Sequence, residues 1–288
     1  MNNNLKRVAA IHDISCMGKC SLTVALPVIS AAGIEVSVIP TAVLSTHTGG
    51  FDGFTYRDLT DDILPVAAHW KTLGVKFDAF YTGFLGSFTQ IEMVSEIFDM
   101  LKSDDTLIVV DPVMADNGKL YTIFDESFPS EMKKLCSKAD LIVPNITEAV
   151  FMLEEPYTEG PYTEEYISQM LKKLSDLGPE KVVLTGVCFD DKKIGAACYD
   201  RKTGTVAYAL EDSIDGYYHG TGDVFASALV SGVMNGLSLA SASEVAASFT
   251  VKSILRTKEA KTDLRFGVNF EAGLCSLYEE IQSKLNKI

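Results

Sequence analysis

Short, wholly apolar runs alternate with longer stretches of helical periodicity over the first two thirds of the chain. Residues 8–11 form the first such run, followed by a helical stretch from 19 to 32 that stops at Gly33. Residues 35–40, a helical stretch over 59–73 closed by Gly74, and residues 79–82 follow in turn. Within residues 90–101, Ile91, Val94, Ile97, Phe98 and Leu101 recur on one face at helical spacing. Residues 107–110 and 141–143 read as strands that end in Asp111-Pro112 and Pro144-Asn145. The text from 148 to 177 is helical, broken by a loop at 154–161, and residues 181–185 close the series. Apolar strands of this kind, separated by helices, predict a parallel sheet covered on both faces. The pattern then changes. Residues 194–199 and 205–210 flank a turn ending in Gly204, a predicted hairpin. Three helical segments follow, at about 221–235, 241–257 and 269–287. No repeat or linker divides the 288 residues, so one domain spanning 1–288 is expected.

Composition adds exclusions rather than new features. Hydrophobic residues at 47% and charged residues at 22% are ordinary globular usage, which rules out disordered and collagen-like classes. Lys plus Arg number 25 against 39 Asp plus Glu, a net charge of −14. Such acidity argues against nucleic acid or an anionic membrane as partner. The charge-free run between Asp223 and Glu244 has the length of a membrane span, but its serines, Asn235 and Gly236 predict buried helices of a soluble protein instead. Six cysteines without a CxxC pair, and an N-terminal apolar stretch too short for a signal core, lead us to expect a cytoplasmic protein with reduced thiols.

Two phosphate-loop suggestions fail. Gly18-Lys19 is followed by Cys20 where a P-loop needs Ser or Thr, and Asp13 stands where its first glycine belongs. Gly83-Phe-Leu-Gly86 is not a dinucleotide fingerprint. The stronger signal is Gly220-Thr221-Gly222-Asp223, which leads directly into a long helical stretch. Free N–H groups and a positive dipole at such a helix start attract anions, and glycines admit close approach. Asp223 could simply cap the helix. A carboxylate beside an anion hole is also what a hydroxyl nucleophile needs as its base in phosphoryl transfer.

With these residues in view, the chain resembles the ribokinase-like kinases, and within them the pyridoxal/pyridoxine/pyridoxamine branch. The matching segments are residues 8–15, Ser45-Thr-His-Thr-Gly49, Thr82-Gly-Phe-Leu-Gly-Ser87, Asp111-Pro-Val-Met-Ala-Asp116, Pro144-Asn-Ile-Thr-Glu148, Val183-Leu-Thr-Gly186 and Gly220–Asp223, in family order and across nearly the whole chain. The resemblance implies a three-layer α/β/α sandwich with a mostly parallel sheet. It implies ATP-dependent phosphorylation of the 5′-hydroxymethyl group of a vitamin B6 vitamer. Asp223 would be the base, with Gly220, Thr221 and Gly222 as the anion hole. Asp111, Asn145, Glu148 and Thr185 would face the nucleotide, and Asp116 and Glu148 would hold Mg²⁺, for which hard oxygen donors are suited. Asp13, Ser15, His47 and Thr48 would face the pyridine ring, although many relatives carry serine at the Asp13 position. Tyr81 and Phe84 either flank that ring or belong to the core. A homodimer also follows from the resemblance alone.

The rivals are a hydroxymethylpyrimidine kinase of thiamine synthesis, in which cysteine often stands at the Asp223 position, a sugar kinase, and a non-catalytic vitamer carrier. The sugar kinase lacks its expected glycine-rich N-terminal motif here, and a carrier needs no base.

Overall fold

The structure is a computed structural model that describes residues 5–287. In chain order its first half contains β1 (Arg7–Ser15), α1 (Leu22–Ala31), β2 (Glu35–Leu44), β3 (Tyr56–Asp58), α2 (Thr60–Thr72), β4 (Ala79–Thr82), α3 (Phe88–Leu101), β5 (Leu107–Val110), β6 (Ala115–Asp116), β7 (Lys119–Leu120) and α4 (Phe128–Cys136). The second half contains β8 (Leu141–Ile142), α5 (Ile146–Leu153), α6 (Glu164–Asp176), β9 (Lys181–Val187), β10 (Lys193–Asp200), β11 (Thr205–Asp212), α7 (Thr221–Asn235), α8 (Leu239–Ala260) and α9 (Leu274–Leu285).

Nine strands make one sheet in the order β11-β10-β9-β8-β5-β4-β1-β2-β3. From β9 across to β2 every neighbouring pair is parallel. The hairpin β10–β11 and the edge strand β3 add the antiparallel pairs. Both faces are covered, as the wholly apolar strands require. One face packs against α1, α7, α8 and α9 through Val8, Tyr81, Val109 and Val183. The other packs against α2 to α6 through Ala9, Ile11, Phe80, Ile108 and Val182. Alternate residues of a strand therefore enter different cores, which is why no polar face was visible in the sequence. The expected three-layer α/β/α sandwich is what the chain forms.

Differences from the sequence reading are local. Strand β1 runs four residues past the apolar run, through the polar His12, Asp13 and Ser15, because these are buried where the strand reaches the site. Helix α4, edge strand β3 and the β6–β7 hairpin went unpredicted. Strand β3 is exposed throughout and offers no apolar pattern, while β6 and β7 have two residues each. The charge-free run divides at Gly236, whose φ of 99° ends α7 before α8 begins. Among the described residues no helix is long and apolar enough to cross a membrane.

Since β1, β4, β5, β8 and β9 are parallel, their C-terminal ends open on the same edge. Asp13, Gly83, Asp111, Asn145 and Thr185 stand there or just beyond. That edge is where open α/β sheets bind ligands.

Candidate active site

Helix α7 starts without a side-chain cap. Gly220 occupies the N-cap position with φ 73°, and a Cβ there would run into the Lys19 carbonyl oxygen, so both conformation and space demand glycine. The first helical donor is Val224, whose N–H reaches Gly220 O at 3.0 Å. The N–H groups of Thr221, Gly222 and Asp223 accordingly have no helical acceptor. Gly222 is exposed, and a Cβ on it would meet nothing within 4 Å. The Thr221 hydroxyl is turned back to the Tyr218 carbonyl at 3.1 Å. The result is an open, side-chain-free ledge of N–H donors with one carboxylate, that of Asp223, in its first turn.

Asp223 is half-buried, and its pKa is pushed up to about 7. Burial is the main cause; the negative charge of Asp13 adds to it, while the Ser21 N–H opposes it. Asp13 is itself buried and shifted upward by burial, against the hydroxyls of Ser21 and Ser15. The Ser15 Oγ donates to Asp13 Oδ2 at 3.3 Å. Ser21 thus favours the charged form of both carboxylates, one through its backbone and one through its side chain. It does so at φ 55° and ψ −129°, a strained conformation for a residue other than glycine. Nothing in the sequence marked Ser21; a strained serine carries no motif.

The second group of acids sits at the ends of β5 and β8. Asp111 is buried and pushed well above the usual carboxylate range, first by burial, then by Glu148 and Asp223. Glu148 is buried in the first turn of α5 and shifted up by burial, against the backbone N–H groups that hold it. Those donors are Met114 N–H to Oε1 at 3.1 Å and Asn145 N–H to Oε2 at 2.9 Å. Asn145 returns the bond, its Oδ1 accepting from Glu148 N–H at 2.9 Å, a reciprocal capping box. The Asn145 amide also donates to Ala115 O at 2.8 Å. Thr185 bridges to the same element, its N–H on Pro144 O at 2.9 Å. Asp116 is held from two sides: Asn117 N–H reaches Oδ1 at 2.9 Å, and Oδ2 accepts from the Asn117 amide at 3.0 Å and the Tyr217 hydroxyl at 2.8 Å.

The donor chemistry fits Mg²⁺. Asp111 and Glu148 are crowded acids whose ionisation is opposed by burial and by each other, and a divalent cation would relieve that repulsion. Among the described residues no three acids, histidines or cysteines are grouped closely enough to hold a metal alone. One or two carboxylates completed by substrate phosphates and water is the usual Mg²⁺ arrangement.

Of the residues expected around the acceptor ring, Asp13 and Ser15 lie beside Asp223. His47 has both ring nitrogens engaged by backbone. Its Nε2 donates to Arg265 O at 2.6 Å, and its Nδ1 accepts from Gly49 N–H at 3.1 Å. The ring faces His219 at 5.1 Å, and His219 meets Tyr217 edge-on at 5.0 Å. His47 therefore pins its own loop to residue 265 and offers a ring face rather than a free nitrogen. Thr48 is exposed on that loop. Tyr81 is fully buried and belongs to the core, whereas Phe84 is half-buried against Phe124 at 5.8 Å.

With this geometry in hand, comparison decides the lineage. The phosphomethylpyrimidine kinase family model matches residues 26–266. The chain belongs to the phosphomethylpyrimidine kinase family. A Bacteroides thetaiotaomicron protein, provisionally named a phosphomethylpyrimidine kinase, is 42% identical in a crystal form holding pyridoxal, with a TM-score of 0.90 over 95% of this chain and 96% of that one. Pyridoxal kinase from Lactobacillus plantarum is 31% identical, with a TM-score of 0.87 over 99% of each chain. A Caenorhabditis elegans relative, provisionally named a pyridoxal kinase, is 29% identical over 213 residues, which span 69% of this chain and 65% of that one. The ribokinase-like resemblance of the motifs thus extends to the whole fold.

Proposed function

We propose that this chain transfers the γ-phosphoryl group of ATP to the 5′-hydroxymethyl oxygen of a vitamin B6 vitamer, releasing ADP and the 5′-phosphate. One observation carries the reading: a carboxylate poised near neutral pH stands in a ledge of unpaired N–H groups at the head of α7. A hydroxyl needs a base of that pKa, and a transferring phosphoryl group needs donors of that kind. The pyridoxal-bearing relative at 42% identity supports the choice of acceptor.

In this reading Asp223 accepts the proton as the hydroxyl oxygen bonds to the γ-phosphorus and the bond to the β–γ bridging oxygen breaks. The N–H groups of the 220–222 segment hold the phosphoryl oxygens. Asp13, with Ser15 and Ser21 on it, orients the pyridine ring, and the loop fixed by His47 walls the pocket with Thr48. Asp111, Asn145 and Thr185 face the nucleotide. Glu148 and Asp116 would hold Mg²⁺, which when bound neutralises phosphate charge; for Asp116 this requires release of Tyr217. Six free cysteines support a cytoplasmic setting. A homodimer remains part of the proposal, which sedimentation would test.

The family model and a Bacillus subtilis hydroxymethylpyrimidine/phosphomethylpyrimidine kinase, 27% identical over 223 residues, favour a second acceptor, hydroxymethylpyrimidine. Purified protein should be mixed with ATP and Mg²⁺ and offered pyridoxal, pyridoxine, pyridoxamine or hydroxymethylpyrimidine. We expect ADP release with a B6 vitamer, abolished by excess chelator. ADP release with hydroxymethylpyrimidine alone would overturn the acceptor, and full activity in chelator would overturn the metal.

A further inference from the structure

Behind the ledge, on the face of the sheet covered by α1, α7 and α8, lies a group of buried polar atoms that the chemistry above does not use. His12 on β1, Tyr81 on β4 and Ser227 on α7 are each fully buried. Both ring nitrogens of His12, the Tyr81 hydroxyl and the Ser227 Oγ have no hydrogen-bond partner among the described residues. Buried polar groups are as a rule hydrogen-bonded, so four such atoms gathered in one place call for a partner.

They belong to one place. His12 meets Tyr81 edge-on, with ring centroids 4.4 Å apart. Ser227 is near enough to the Tyr81 phenol to oppose the upward shift of its pKa, yet does not complete a hydrogen bond with it. The imidazole has no freedom to seek a partner elsewhere, because it fills the space where a Cβ on Gly83 would stand.

They also adjoin the catalytic acids. Ser227 lies one helical turn beyond Asp223 on α7, at the i+4 spacing that makes residues neighbours. The Tyr81 phenol is held un-ionised chiefly by burial, then by the charges of Asp111 and Asp223, so it lies within electrostatic reach of both.

The chemistry selects the occupant. Burial drives His12 down to a pKa of about 3, so the ring is neutral at working pH. A neutral imidazole presents one N–H and one lone pair, and the two hydroxyls can each donate and accept. A cation cannot accept from the N–H. Water satisfies donors and acceptors alike, and a buried water typically makes about three such bonds.

We propose that His12, Tyr81 and Ser227 hold buried water against the inner side of the Asp111–Asp223 pair, with Tyr81 and Ser227 as positioning residues for the Asp223 carboxylate. This rests on the reading of Asp223 as the base. Through that water the carboxylate is kept aimed at the acceptor hydroxyl.

The test has two arms. A high-resolution crystal structure of the parent protein is expected to show ordered water bonded to at least two of the three side chains. A dry cluster, with the side chains rotated onto one another, would overturn the proposal. In the second arm, Tyr81→Phe and Ser227→Ala are assayed with pyridoxal, ATP and Mg²⁺, normalised to sites that bind pyridoxal. We expect kcat to fall about tenfold in each, short of the hundredfold that an ångström of misplacement can cost, with both KM values within about twofold of the parent. A merely structural role would lower the number of binding sites and leave kcat per site unchanged, and that result sinks the positioning role. Should Tyr81→Phe not fold, Ser227→Ala alone decides. If the parent phosphorylates no vitamer, the proposed function has failed, and the crystal structure still judges the water.

Discussion

Glu148 and Asp223 occupy the same place in their helices, the third residue of the first turn, yet their surroundings differ in one atom group. Helix α5 has asparagine at its N-cap, and α7 has glycine. Asparagine supplies a side chain that takes the Glu148 N–H and an N–H that binds the Glu148 carboxylate, so the pair closes on itself. Gly220 has no side chain to give. Its helix keeps its first donors open, and the carboxylate of Asp223 is left to other work. An acid closed into a capping box and an acid left free of one are thus separated by the residue three positions before them, and both are buried enough to be shifted upward.

The sharpest way to break this contrast is Asp223→Asn. The amide keeps the shape and is tolerated near a helix start, but it takes no proton at neutral pH. Turnover with the accepted vitamer should fall 10²- to 10⁴-fold, about 3–5 kcal/mol of barrier, while both substrates still bind. A folded variant working at the parent rate would make Asp223 a cap like Glu148.

Next in size is Gly220→Ala. A side chain at φ 73° that also strikes the Lys19 carbonyl must displace backbone, so we expect a loss of about 2–4 kcal/mol in denaturant unfolding. Gly222→Ala is the control two residues on, where the added methyl meets nothing and unfolding should be unchanged. Its turnover should nevertheless drop if phosphate oxygens rest on that ledge. Equal unfolding free energies for the two variants would show that the N-cap glycine is not demanded by the fold.

How far was this contrast readable in the chain itself? The apolar runs predicted the sheet because each strand is buried on both faces, and Ala79–Thr82, Leu107–Val110 and Thr221–Asn235 fall where the pattern put them. Both acids were visible, since Pro144-Asn-Ile-Thr-Glu148 and Gly220–Asp223 are contiguous motifs. What could not be read is contact made across distance. Ser21 reaches Asp223 from a segment some two hundred residues away, and Tyr217 reaches Asp116 across 101. His47 is expected to face the pyridine ring, and the sequence does not show that residue 265 takes one of its nitrogens and Gly49 the other. Tertiary hydrogen bonds of this sort leave no spacing in the sequence.

Glu148→Gln tests the other half. The carboxylate accepts two N–H groups, one on each oxygen, and an amide would set an N–H₂ against one of them. One stranded donor costs about 1–3 kcal/mol, so unfolding should occur at lower denaturant, and the Mg²⁺ requirement of turnover should rise. Unchanged stability would mean the box is not closed in solution.

The smallest effect discriminates best between the two acids, because it follows charge and not shape. The folded-state pKa of Asp223 lies near 7 and that of an unfolded aspartate near 4. Between those values the folded chain binds the extra proton, so this group's contribution to stability is greatest at low pH and is lost as pH rises through 7. From pH 6 to pH 8 the loss is about 1.4 kcal/mol, or roughly 2–3 °C in melting temperature for a chain of this length. Histidines act in the opposite sense. Burial lowers His12, His47 and His219, so they disfavour the folded state most at the acid end of the same interval. The melting profile of the parent alone is therefore ambiguous, and the measurement must be a difference. Melting temperatures of parent and Asp223→Asn are taken at pH 6 and pH 8 and subtracted, which cancels the histidines. The variant should gain on the parent by those few degrees between the two pH values. A difference of zero would mean that Asp223 titrates as an ordinary exposed carboxylate, and the base assigned to this site would have to be sought elsewhere.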